Sequence, residues 1–212
     1  MISFSGIDCG GKSTQIDKVA EYLKNKKIKC KVIHSRGGYT PMLEFFKKLI
    51  RTDKKGTREE QDQYRAEIHG NPKKRKLLLW LSIFDLAIYY GVYFRICEFF
   101  GKKILADRYF WDSYIDFQMK YSEINFEKWK VWKFAKKIHL KPKCSIIYVI
   151  PAEVSMYRST LKDEPWPEPV EVRRERIDRY MKEVGNGRWK FVIDATSSIE
   201  DVFNKTLECM AL

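Results

Sequence analysis

A chain of 212 residues, 44% hydrophobic and 33% charged, carries enough apolar material for one full core, which excludes a disordered chain. The net charge of +13 fits an anionic partner such as a nucleotide, nucleic acid or acidic lipid, and equally a surface solvated by lysines, so it decides no fold. Five cysteines at positions 9, 30, 97, 144 and 209 form no CxxC pair, which argues against a zinc site or disulfide framework and for a reducing cytoplasm. The first residues read straight into an apolar strand, so no secretion signal is expected.

Residues 1–5 are short and apolar, as in a buried strand, and a glycine-rich stretch follows. Ile16, Val19, Ala20 and Leu23 then recur at helical spacing. "KCKVIH" (29–34) is a second strand, 42–50 a helix, and 57–70 a polar segment covering it. "LLLWLSIFDLAIYYGVYF" (77–94) approaches the length of a membrane span and follows "KKRK". Asp85 at its centre opposes that reading, because a carboxylate at mid-bilayer costs about 2.5–3.5 kcal/mol. A helix buried on most sides of an α/β protein is the expectation instead.

"KKILADRY" reads as a strand ending in charge, followed by helices over 111–120 and 126–139. The second of these is basic with interleaved aromatics. Inward packing of Trp129 and Trp132 explains it better than nucleic-acid stacking, so nucleic-acid binding is not expected. "CSIIYVI" (144–150) and "WKFVIDA" (189–195) are strands, and a helix starts at Pro151. "KDEPWPEP" must be a loop, "VRRERIDRYMKEV" a helix, and Ser198 with Asp201 a capping box opening the last helix. Strands alternating with helices predict an α/β fold, a five-stranded parallel sheet covered on both faces. No linker divides the chain, so 1–212 reads as one domain with a short lid near 159–172.

"GIDCGGKS", Gly6 to Ser13, fits G-x-x-x-x-G-K-[ST] between a predicted strand and a predicted helix. Gly6, Gly10 and Gly11 let backbone N–H groups turn inward around phosphate oxygens at the helix start, with Thr14 in its first turn. Lys12, expected at a solvated position, would reach the β- and γ-phosphates of a nucleoside triphosphate and Ser13 would hold Mg2+. Phosphoryl transfer asks for a second charged site at another strand end, and "ILADRY" supplies it. Asp107 is placed to reach Mg2+ through water, and Arg108 to clamp an acceptor phosphate; the alternative is a surface ion pair.

These stretches resemble the thymidylate kinase family: "FSGIDCGGKSTQ" its phosphate loop, "ADRYFWDSYIDFQ" its DR[YH] segment, "KPKCSIIYVIPAEVSMYR" its strand and Pro-x-Glu helix, and "VIDATSSIEDV" its closing strand and helix. The resemblance implies a three-layer P-loop kinase fold, ATP and Mg2+, and transfer of a phosphoryl group to a pyrimidine deoxynucleotide, most readily dTMP. It implies that Asp8 faces the acceptor and that Arg36, Asp85 and Arg108 contact it. Ser113 and Gln118 would line the base pocket, Arg158 would lie near adenine or the lid, and Ala195 and Thr196 would border adenine.

A homodimer through helices near 42–50 and 77–100 is implied as well. Two departures stand out. Leu86 replaces an arginine expected after Asp85, and neither the loop, with Cys9, nor the lid supplies a transition-state arginine, leaving Arg158, Arg173 or Arg174. A kinase of a nucleoside or other small acceptor, or a non-catalytic nucleotide-binding module, are the competing readings.

Overall fold

In the computed structural model of the chain, the described residues are 1–34, 70–162 and 167–210. Arg36, the expected helix over 42–50, the segment 57–69 and the centre of the expected lid lie outside them.

Five parallel strands form one sheet in the order β2-β3-β1-β4-β5: β1 (Ile2–Gly6), β2 (Cys30–His34), β3 (Lys103–Asp107), β4 (Cys144–Val149) and β5 (Phe191–Asp194). From β1 the chain passes β3 to the edge strand β2, returns to β3 and then crosses β1 to β4. The connections leaving the neighbours β1 and β3 thus run in opposite directions, and strand order reverses between them. Ligands of open α/β sheets bind at the carboxyl ends of strands at such a switch point. Every residue of β1 is buried, as a central parallel strand requires.

The strand faces alternate in what they bury. Phe4 stacks on Tyr148 at 6.3 Å, and the Tyr148 hydroxyl meets Thr206 at 2.8 Å, so this face looks toward α1 (Lys12–Asn25) and α8 (Ile199–Met210). The opposite face carries Ser3, Ser5 and Ser145, all buried, and Ser5 bonds into α4 (Phe110–Lys120). Small hydroxyls there leave room for polar partners, which the site below uses. One half of the expected capping box is present: the Ser198 hydroxyl accepts from the Asp201 amide at 3.1 Å, and the same hydroxyl donates to the Asp201 carboxylate at 2.6 Å.

The long apolar helix is α2 (Pro72–Ile88), continuing through one wide π turn (Tyr89–Tyr93) into α3 (Phe94–Phe99). Asn71 caps it, its side chain accepting from the Lys73 and Lys74 amides. The π turn sits where Gly91 lies so close to Ile138 that an added Cβ would meet that side chain at 2.7 Å. The expectation of burial on most sides needs correcting. Leu79, Ile83, Leu86, Tyr90 and Phe94 are buried, but Leu77, Trp80, Phe84, Ile96 and Phe99 are exposed, and only half of the 18-residue apolar window is buried. Helix and apolar length alone would allow a span; the core-facing half, Asp85 included, packs in the protein.

The expected helix over 126–139 is also revised. Extended backbone at Trp129 (ψ 142°) breaks it into a 3-10 turn (Phe126–Lys128) and α5 (Lys130–Ile138). Trp132 is buried and Trp129 partly buried against the core, as the packing reading requires.

His139 closes this region. It is buried, stacks on Phe110 at 4.2 Å, and leaves Nδ1 without a hydrogen-bond partner among the described residues. Burial, helped by Lys141 and Arg95, lowers its pKa below the usual 6.5. Between the lowered folded value and 6.5 the unfolded chain binds the extra proton. Stability is therefore expected to fall as pH drops below 6.5. Denaturant midpoints at pH 7 and pH 5 check this, with His139→Phe flattening the difference.

Candidate functional site

The turn from β1 into α1 is built from backbone that few residues tolerate. Gly6 has φ +132°, and a Cβ there would lie 2.4 Å from the Tyr148 carbonyl oxygen. Gly11 (φ +85°) turns the chain into the helix, and Cys9, which is not glycine, also sits at φ 57°. Strain of this kind persists where surrounding structure imposes it, commonly at ligand sites. The first intrahelical bond of α1 runs from the Gln15 amide to the Gly11 carbonyl at 3.1 Å. The amides of Lys12, Ser13 and Thr14 therefore precede the ladder, and no side chain caps this terminus. The helix dipole adds partial positive charge there, so the turn is suited to an anion.

The loop, with Asp107, Arg108 and Lys162, bounds a cavity of about 120 Å³. A second cavity of about 310 Å³ adjoins it and is mainly apolar, with Leu161, Ala195, Ile199 and Val202 in its wall. Cys9, Gly11, Thr14 and Lys162 line both. A polar cradle opening into an apolar cavity matches a ligand with a polyphosphate and a flat apolar group.

Lys12 was expected at a solvated position, and the structure corrects that. It is buried, and its ammonium donates to the Ile7 carbonyl at 2.6 Å. Burial first, and then Arg108, lower its pKa to about 8 against the opposing pull of Asp8 and Asp107.

Arg108 follows β3 in a left-handed conformation (φ 66°). Its guanidinium pairs closely with Asp8, donates to the Tyr180 hydroxyl at 3.3 Å, and lies 3.9 Å from Asp112. Asp112 is the hub of this network. It accepts from Ser5 at 2.6 Å, from the Tyr109 amide at 2.9 Å and from Tyr180 at 2.6 Å. Burial raises its pKa, and Arg108 with the three donors counteracts that rise. Sequence reading missed Asp112 and Tyr180. The spacing of Asp112, four residues after Arg108 at a helix start, was the available signal; Tyr180 gave none.

Asp107 carries the metal argument. Its Oδ2 meets His34 Nδ1 at 2.9 Å, while Oδ1 is buried and accepts no hydrogen bond from the described residues. A buried carboxylate oxygen without a donor is a costly arrangement unless a cation completes it. Ser13 is exposed beside the same cavity. These two oxygens fit Mg2+, which is held typically by one or two protein oxygens with water and phosphate. Among the described residues no group of three or more His, Cys, Asp or Glu could hold a metal alone.

The remaining expected positions divide. Arg158 donates to the Ala195 carbonyl at 3.1 Å, and both line the apolar cavity. Thr196 turns back to Asp194, its hydroxyl 2.7 Å from Oδ1, and Ser197 takes its place in the wall. Arg173 is buried beneath α6 (Ala152–Leu161), where it holds Ser155 and Ser159. Arg174 is exposed and pairs with Glu153.

Asp85 is buried on α2. Ser113 is buried with its hydroxyl 3.4 Å from the Tyr109 carbonyl. Gln118 bonds the Tyr114 hydroxyl at 2.7 Å and lines a separate polar surface cavity with Glu127 and Arg179. Ser113 and Gln118 thus line neither of the two joined cavities, and the structure does not bring them together.

No protein-family profile matches the chain. It is similar to a thymidylate kinase of Sulfurihydrogenibium sp. (strain YO3AOP1), with 29% identity over 204 residues that cover 95% of this chain and 91% of that protein. The five-stranded parallel sheet flanked by helices is an α/β fold compatible with a P-loop kinase of that kind.

Proposed function

We propose that the chain is a nucleoside monophosphate kinase that moves the γ-phosphoryl group of ATP to an acceptor nucleotide, with dTMP the first candidate. The observation that carries this reading is the pairing of an uncapped helix start with Lys12 on one side of a small cavity and Arg108 on the other. The similarity to a thymidylate kinase over nearly the whole chain supports it.

Phosphoryl transfer leaves a protein mostly the tasks of positioning and charge neutralisation. The amides of Lys12, Ser13 and Thr14 would bind the donor phosphates. The Lys12 ammonium would leave the Ile7 carbonyl for the β- and γ-oxygens, a stronger, charged acceptor. Arg108, oriented by Asp8, Asp112 and Tyr180, would present a planar fork to the acceptor phosphate. Ser13 and Asp107 would hold Mg2+, which supplies further neutralisation of the triphosphate. The apolar cavity beside Ala195 and Arg158 would take the adenine. The exposed apolar face of α2 and α3 would be covered in a homodimer.

One observation favours a second reading. Leu86 is fully buried, so α2 offers the core, and not an acceptor phosphate, at the position where the family resemblance leads one to expect arginine. A nucleoside acceptor would need no such contact. Coupled measurement of ADP release across all nucleoside monophosphates, with thymidine alongside, separates the two. Turnover of dTMP is expected; turnover of thymidine without dTMP would overturn the proposal.

A further inference from the structure

Four described cations border the two joined cavities: Lys12, Arg108, Arg158 and Lys162. Three are engaged by the protein itself. Lys12 is held by the Ile7 carbonyl, Arg108 by Asp8, and Arg158 by the Ala195 carbonyl. The Lys162 side chain makes no hydrogen bond or ion pair among the described residues, and it alone of the four lines both cavities with an exposed side chain. The residue therefore lies where the apolar cavity meets the phosphate cradle, with its ammonium within a side chain's reach of both.

That position is mounted on the loop. Lys162 closes the last turn of α6, where the negative end of the helix dipole favours a cation. The Ser155 hydroxyl of the same helix donates to the Asp8 main-chain oxygen at 2.7 Å. Arg173, buried, ties Ser155 and Ser159 together from beneath. Movement of α6 relative to the phosphate loop would break these bonds, so the distance from Lys162 to the cradle is held.

We propose that Lys162 is a catalytic residue: its ammonium neutralises charge on the transferred phosphoryl group as the bond to that group changes hands. This rests on the kinase reading above. In that reaction an acceptor phosphate oxygen forms the new bond to the γ-phosphorus. The bond from that phosphorus to the β,γ-bridging oxygen breaks, and its electron pair stays on ADP. Lys162 keeps its proton throughout and transfers nothing; it lowers the energy of charge on the equatorial and bridging oxygens. A lysine suits this junction as a compact point charge on a long stem, where Arg108 serves as a fixed fork.

The test compares wild type with Lys162→Ala and Lys162→Arg, reading kcat, KM and the Kd for ATP by calorimetry. Alanine is expected to lower kcat about 10²-fold while the Kd for ATP changes less than threefold. Arginine is expected to keep most of the lost rate, which a merely structural role would not require. An alanine variant with kcat within threefold of wild type would overturn the assignment, as would a Kd loss equal to the whole loss in kcat/KM. Wild-type protein that binds ATP yet transfers to no acceptor would instead overturn the kinase reading and the role of Lys162 with it.

Discussion

Replacing Lys12 with methionine is expected to reduce phosphoryl transfer by about 10³-fold with little loss of thermal stability. The two halves of this result come from one fact, the burial of a charge. Lys12 is 6% exposed, and burial with Arg108 nearby lowers its pKa to about 8. The folded chain thus carries the ammonium at a cost, offset in part by the Ile7 carbonyl. Methionine has a similar length and carries no charge, so the fold loses one hydrogen bond and sheds the cost of a buried cation. The donor phosphates lose the one ammonium inside the loop. Steady-state rates with ATP and dTMP, paired with calorimetric melting, check both halves. A melting drop as large as the catalytic loss would show that Lys12 holds the loop rather than the ligand.

Arg108→Ala is expected to destabilise the protein as well as to weaken acceptor use. Arg108 is 7% exposed, and its removal leaves Asp112, which is 1% exposed, without its cation. Breaking a buried ion pair from one side costs about 3–5 kcal/mol. For a domain of this size that lowers Tm by about 10 °C. The backbone makes a finer prediction. At φ 66° alanine keeps the left-handed penalty, while glycine does not. Arg108→Gly should therefore be more stable than Arg108→Ala by about 1 kcal/mol. That reverses the usual ranking of the two residues and is measurable by denaturant titration. Equal stability of the two variants would mean that the backbone relaxes once the guanidinium is gone.

The glycine-rich turn between β1 and α1 was legible because it is local. Eight consecutive residues contain the whole pattern, and the neighbouring strand and helix announce themselves by period. The same holds for the Ser198 hydroxyl cap on the Asp201 amide and for the strands ending at Asp107 and Asp194. The network around Arg108 was not legible. Ser5, Asp112 and Tyr180 lie up to 175 residues apart in the chain and meet only when β1, α4 and α7 (Val170–Gly185) pack. The family resemblance, not spacing, implied that Ser113 and Gln118 line one base pocket. On α4 they turn in different directions, one into the core and one to a surface cavity.

The sequence by itself determined the order of strands and helices, the glycine-rich turn into α1 and the charged end of β3, because each depends on neighbours in the chain. The tertiary structure alone decided which of the four described cations at the two cavities are engaged and which has a side chain without a partner among the described residues. It buried Lys12, bound Arg108 to Asp8, turned Arg158 to Ala195 and left Lys162 at the junction of two cavities. The physical reason is that burial and pairing are properties of surroundings assembled from distant segments, and a side chain's charge has no address until those segments close around it.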